Sequence, residues 1–129
     1  MKLILPLQIW IPRKAKEDKL IYLNQNWYRT AHHFTSNQVK QIFKDHIEAM
    51  DLSPLPKGQY RFSYVLFPAR TVDVMNPCAV IDKFVCDALA ELGIIQDDNM
   101  KILPEFSFRF GGIDKNNPRC ELEITPMDF

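Results

Sequence analysis

Glycine is scarce in this chain, four residues in 129. That leaves little room for the glycine-rich loops that cradle phosphates, and neither a Walker-type nor a dinucleotide-binding motif occurs. Long apolar runs are missing too; none approaches the roughly 18 residues needed to span a bilayer, so no membrane partner is expected. Cysteine is limited to three residues, an odd number. Cys78 and Cys86 fall on one expected helix, roughly 12 Å apart by the helical rise and too far to bridge, and this usage fits a reducing cytoplasm. Neither sign of charge dominates, since 16 basic and 16 acidic side chains cancel. Nothing global therefore marks a nucleic-acid binder, and no charge block is long enough to be a tail. The adjacent His32 and His33 have no Cys or third His at metal spacing, which argues against zinc. No nucleophile elbow supports a Ser/His/Asp site.

What is present is an ordinary globular composition, 47% hydrophobic and 25% charged, at a length that suits one domain spanning residues 1–129. The opening MKLILPLQIWIPRK is interrupted by Pro6, Gln8 and Pro12 and shows no small-residue cleavage site. It reads as a first strand over residues 3–11 rather than a signal peptide. IYLNQNWYRTAHHF has no clean period and reads as an extended loop with some strand. Thr35 and Gln38 fit a capping box, and Val39, Ile42, Phe43, Ile47 and Met50 recur at helical spacing, predicting a helix over residues 36–50. SPLPKG is a turn, and QYRFSYVLF alternates as a half-buried strand. Asn76 suits an N-cap and Pro77 a first helical residue; the apolar stripe from Val80 to Leu92 follows, and Gly93 ends the helix. FSFRF and CELEIT are two more strands, joined by GGIDKNNP, which has the residues of a tight connection. The order β–α–β–α–β–β predicts an α+β domain, a mixed sheet with two main helices on one side.

Chemistry-bearing residues gather around the second helix. Its polar face carries Asp82, Lys83, Cys86, Asp87 and Glu91, with Asp73 before it and Asp97 and Asp98 after it. Hard divalent cations take oxygen ligands of this kind. The two acidic loops lie at opposite ends of the helix, about 24 Å apart by rise alone, and meet only if the second folds back beside the first. Lys83 follows Asn76 by two turns. It is placed to touch phosphate, or to pair with Asp87 at i, i+4. Arg13, Lys14, Lys16 and Lys19 form one basic cluster, and Lys40 and Lys44 lie one turn apart; such clusters are commonly solvated faces.

TVDVMNPCAVIDKFVCDALAELGIIQDDN, followed by FGGIDKNNPRCELEIT, resembles the RusA family of Holliday junction resolvases across residues 71–125. The N-terminal half agrees more loosely, through a strand, the loop LNQNWYR and a helix. The resemblance implies a dimeric, Mg²⁺-dependent endonuclease (Mn²⁺ a substitute) that cuts four-way DNA junctions, in the bacterial host cytoplasm if phage-encoded. It implies Asp73, Lys83 and Asp98 as catalytic residues, with Asp73, Asp98 and Asp97 around the metal. Arg13, Lys14, Asn26, Arg29, Lys40 and Asn76 are the expected DNA contacts. The family's acidic turn reads Asp-x-Asp-Asn, whereas here Met75 stands in place of the second Asp, and the gap from Asn76 to Lys83 is longer than in some members. A thioether does not replace a carboxylate on Mg²⁺. Asp82 is the residue available to supply the missing oxygen, about 100° round the helix from Lys83. Without it, Asp73 and Asp98 hold the metal with water and phosphate, or the protein binds junctions without cutting them well.

Overall fold

A computed structural model describes residues 1–127 as an α+β domain with a mixed sheet and three helices, two of them long. The elements are β1 (Lys2–Leu5), β2 (Gln8–Arg13), β3 (Lys16–Tyr22), α1 (Gln25–Thr30), α2 (His33–Glu48), β4 (Gln59–Phe67), α3 (Met75–Glu91), β5 (Glu105–Phe110) and β6 (Arg119–Met127). Among the described residues no helix is long and apolar enough to cross a membrane.

The expected first strand is two strands. Pro6 lacks the N–H a ladder needs, so β1 stops at Leu5 and the chain restarts at Gln8 as β2. β2 then pairs with β3, in the segment expected to be mostly loop, through a two-residue turn between Arg13 and Lys16. Such turns favour Asn-Gly because the backbone needs positive φ. Here Ala15 takes φ +57° without that signature, which hid the hairpin, and the register shifts between Ile11 and Arg13, around Pro12. α1 was also missed: the Asn24 side chain accepts the Trp27 N–H at 2.8 Å and caps a helix of only six residues.

The long helices follow their apolar periods. α2 buries Val39, Phe43 and Ile47, but it begins earlier than expected, with His32 rather than Thr35 at its cap and the His32 ring accepting the Phe34 N–H. Phe43 meets Phe84 of α3 at 5.9 Å between ring centres. Gly93 closes α3 with φ +73°, the left-handed conformation foreseen for it.

Strands β1-β6-β4-β5 form the main sheet in that order. Alternation puts Leu3, Leu5, Tyr60, Phe62, Tyr64, Leu66, Cys120, Leu122 and Ile124 on its buried face. GGIDKNNP does not close a hairpin. β5 runs parallel to β4 on one side, β6 runs antiparallel to β4 on the other, and the connection must pass around the end of β4. Arg119 holds that passage: its guanidinium donates to Asp114 (2.8 Å), to the Asn117 carbonyl (3.0 Å) and to Glu121 (2.7 Å), and lies 4.2 Å from the Phe67 ring centre.

Gly111 marks the closest approach on this path. A Cβ there would stand 2.5 Å from a Val65 methyl and 2.7 Å from the Phe67 ring. Gly111→Ala should therefore destabilise the fold by about 1–3 kcal/mol through overpacking, read as a lower urea midpoint with an unchanged m-value.

Candidate functional site

The acidic turn leaves β4 and enters α3 without the cap its sequence suggests. Val74 occupies the cap position in helical geometry and offers no side-chain acceptor, and the helix starts at Met75. Asn76 is therefore inside the helix rather than before it. Its side-chain oxygen accepts the backbone N–H of Gln25 at 3.0 Å, tying the start of α3 to the start of α1. Asp73 stands exposed just outside, its backbone carbonyl holding the Asn76 N–H at 3.0 Å. Met75 is 42% exposed where the family pattern has a carboxylate.

Asn76 also lines a cleft of about 500 Å³ between the β2–β3 hairpin and the β4–α3 turn. Gln8, Tyr22, Asn24, Arg70 and Val72 contribute to its wall. Arg70 escaped the sequence reading because an isolated arginine in a turn carries no pattern. Its position beside Asn76 is visible only once the hairpin closes over the turn.

Two turns further along α3, Asp82 is drawn inward. Its Oδ1 accepts the Tyr64 hydroxyl at 2.6 Å and the Cys86 thiol at 3.4 Å, so both bonds fall on the same oxygen. Burial raises the carboxyl pKa; the Tyr64 and Cys86 bonds pull it down, and the charge of Asp98 pushes it up again. Asp98 also acts on Cys86, whose thiol is pushed well up chiefly by its burial and by Asp82. The charge of Asp98 is thus felt at Asp82 and Cys86, in the middle of α3.

Asp97 has a local task. One of its oxygens accepts the Asp98 N–H at 2.7 Å and the other the Asn99 amide at 2.9 Å, which shapes the turn that presents Asp98. Among the described residues no three His, Cys, Asp or Glu side chains converge as ligands on one point. As carboxylates, Asp82, with Oδ2 outside the Tyr64 and Cys86 bonds, and Asp98, exposed on the loop after α3, are hard oxygen donors. That is a donor set of the kind Mg²⁺ accepts when water and substrate phosphate complete its shell.

Lys83 projects from the other flank of α3, its ammonium 5.9 Å from the centre of the Tyr28 ring. It does not pair with Asp87. That carboxylate holds Lys40 at 3.3 Å, and Glu91 holds Lys40 at 3.5 Å and Lys44 at 3.2 Å. Burial works against the Lys40 charge, but Asp87 and Glu91 outweigh it and raise its pKa. Lys40 thus serves the α2–α3 contact, which leaves little of its charge for DNA. Arg13 spends one N–H on the Glu17 carbonyl at 2.8 Å, bracing the hairpin tip. Lys14, Asn26 and Arg29 are exposed, the first on that tip and the other two on α1.

No protein-family model matches this chain, and no curated protein matches it either.

The raised pKa of Asp82 sets a pH dependence. Between its ordinary value and the raised native one, the folded protein binds the extra proton, so stability falls as pH rises through that window. Asp82→Asn keeps an acceptor for Tyr64 and removes the desolvated charge. It should raise the melting temperature at pH 7 by a few degrees and flatten that slope, both measurable by thermal melts between pH 4 and 8.

Proposed function

We propose that the protein is a Mg²⁺-dependent endodeoxyribonuclease that cuts branched DNA, four-way junctions above all, as a homodimer. The resemblance of residues 71–125 to the RusA resolvases supplies the reaction class. The observation that carries it here is the Asp82 carboxylate on α3, held by Tyr64 at 2.6 Å and within electrostatic reach of Asp98, with Asp82 in the part that Met75 cannot play. When bound, Mg²⁺ or Mn²⁺ supplies charge neutralisation at the phosphate and a lowered pKa for an attacking water.

The chain's own residues do the rest. Asp98 and Asp82 are the residues that would hold the cation, and Tyr64 fixes the Asp82 carboxylate through Oδ1, leaving Oδ2 outside that bond. Lys83 neutralises phosphate charge on the α1 flank of the helix. Asn76 and Arg70 line the cleft beside the turn that carries Asp73, where an unpaired or bent strand can enter. Lys14, Arg13 and Arg29 give salt-dependent, sequence-independent affinity for phosphates, and shape rather than base edges selects the junction. Two sites related by a two-fold axis make the two symmetric cuts that resolution requires.

A second reading, a junction-binding protein that does not cut, draws on the same turn: Met75 is exposed, and among the described residues no three His, Cys, Asp or Glu side chains group as metal ligands. A labelled four-way junction and a linear duplex, each with Mg²⁺ or EDTA, separate the two. Symmetric nicks on the junction with Mg²⁺ alone support the enzyme; tight binding without nicks in any divalent metal supports the binder. No preference for the junction sinks both. Within the enzyme reading, Asp98→Asn and Asp82→Asn should each lower cleavage by about 10²-fold or more while junction affinity stays within a few-fold. Met75→Asp should raise the rate. Parental cleavage by both Asn variants would show that the cation sits elsewhere.

A further inference from the structure

The two edges of the main sheet are built differently. β1 is four residues long, carries Lys2 and ends before Pro6, the usual means of blunting an edge. β5 is longer, at six residues; Pro104 stands just before it, and its charges, Glu105 and Arg109, are of opposite sign. It reads EFSFRF, pairs with β4 alone among the described strands, and shows Phe106 37% and Phe110 52% exposed. Phe108 stacks on Tyr64 at 5.0 Å, and Phe106 continues that row at 6.5 Å from Phe108. Its exposed aromatic row and charges of opposite sign suit pairing with a second strand of the same sequence.

The free hydrogen-bonding groups on this edge can be assigned. Leu66 of β4 aligns with Phe110, and the Leu66 carbonyl accepts the Gly111 N–H at 2.8 Å. By strand alternation Glu105, Ser107 and Arg109 turn their backbone toward β4, so Phe106, Phe108 and Phe110 turn theirs outward. An antiparallel partner must set outward residues against outward residues, which limits a symmetric pairing to a two-fold axis through a residue.

We propose that β5 pairs antiparallel with β5 of a second copy, about a two-fold axis at Ser107, joining two main sheets into one of eight strands. In this register Glu105 of each copy faces Arg109 of the other, and Phe106 faces Phe108. All four charges are matched, and four phenylalanines form one continuous row. An axis at Phe108 would instead set Arg109 against Ser107 and leave Glu105 opposite Gly111. Glu105 already holds Arg61 at 3.0 Å through one oxygen, which leaves the other for the incoming Arg109. Opposite charges and aromatic pairs directly across strands are the contacts that stabilise such ladders. The axis is perpendicular to the sheet, so both copies keep their helices on the same side. Tyr64, stacked on Phe108, then places each Asp82–Asp98 pair one strand in from the joint. Its functional weight rests on the nuclease reading, where it supplies the two-site geometry; the pairing itself follows from β5.

Sedimentation of the 15.1 kDa chain at micromolar concentration should give the dimer mass. Arg109→Glu should raise the dissociation constant at least tenfold, and adding Glu105→Arg to the same chain should restore it. Ser107 meets its own symmetry mate at a non-hydrogen-bonded position, so Ser107→Cys should link the copies under mild oxidation, whereas Glu105→Cys should not. The three native thiols are buried and do not compete. A monomeric parent, a charge swap that fails to restore association, or linkage through Glu105→Cys but not Ser107→Cys overturns the pairing. Junction cleavage is read on the same samples. A dimer that passes these tests but never cuts leaves the pairing intact and removes the enzyme, while cutting by a monomer does the reverse.

Discussion

The hydrogen bond from Tyr64 to Asp82 sets the rotation of α3 over the sheet. A buried tyrosine needs a partner for its hydroxyl, and at the centre of β4 only the helix above can supply one. Once Asp82 is turned down to meet it, the remaining faces are settled by the 100° step of the helix. Cys78 and Cys86, one turn to either side, go into the core, Lys83 swings toward α1, and Asp87 points to α2. A carboxylate half withdrawn from water is costly on stability grounds alone.

Around that contact the two parts of the chain are stitched by aromatic rings rather than by charge. Trp27 and Tyr28 of α1 meet Phe84 edge to face at 6.2 and 5.9 Å, and Phe43 of α2 meets the same ring. The ion pairs of Lys40 and Lys44 lie along the outer seam of α2 and α3, where exposure and salt leave them modest. The short α1 is thus held by packing, and with it the asparagine-to-backbone link between Gln25 and Asn76 that borders the cleft.

The long, strongly periodic elements were legible in the sequence: α2, α3, β4 and the alternation of β6 each followed from spacing of apolar residues. What escaped were features decided by backbone geometry or distant partners. The β2–β3 turn uses Lys14 and Ala15 where a hairpin signal would be Asn-Gly. The parallel pairing of β5 could not be told from a hairpin, because GGIDKNNP has turn chemistry whichever way the chain runs. Asn76 looked like a cap because caps are local; its actual partner, Gln25, is 51 residues away. The same applies to the acids. Sequence spacing put Asp98 a helix length from Asp73, and only the fold shows that its charge reaches Asp82.

The sheet order carries a consequence for how the molecule forms. β1 is hydrogen-bonded to β6, Leu3 opposite Leu122 and Leu5 opposite Cys120. Of the described strands the first waits for the last, and β6 is the strand that joins β1 to β4. On the ribosome the hairpin and α2 can form early, but the central sheet closes only after residue 119 has emerged. Contacts so far apart in sequence make folding slow and all-or-none. A chain folding this way leaves β4 without its antiparallel partner until β6 has been made.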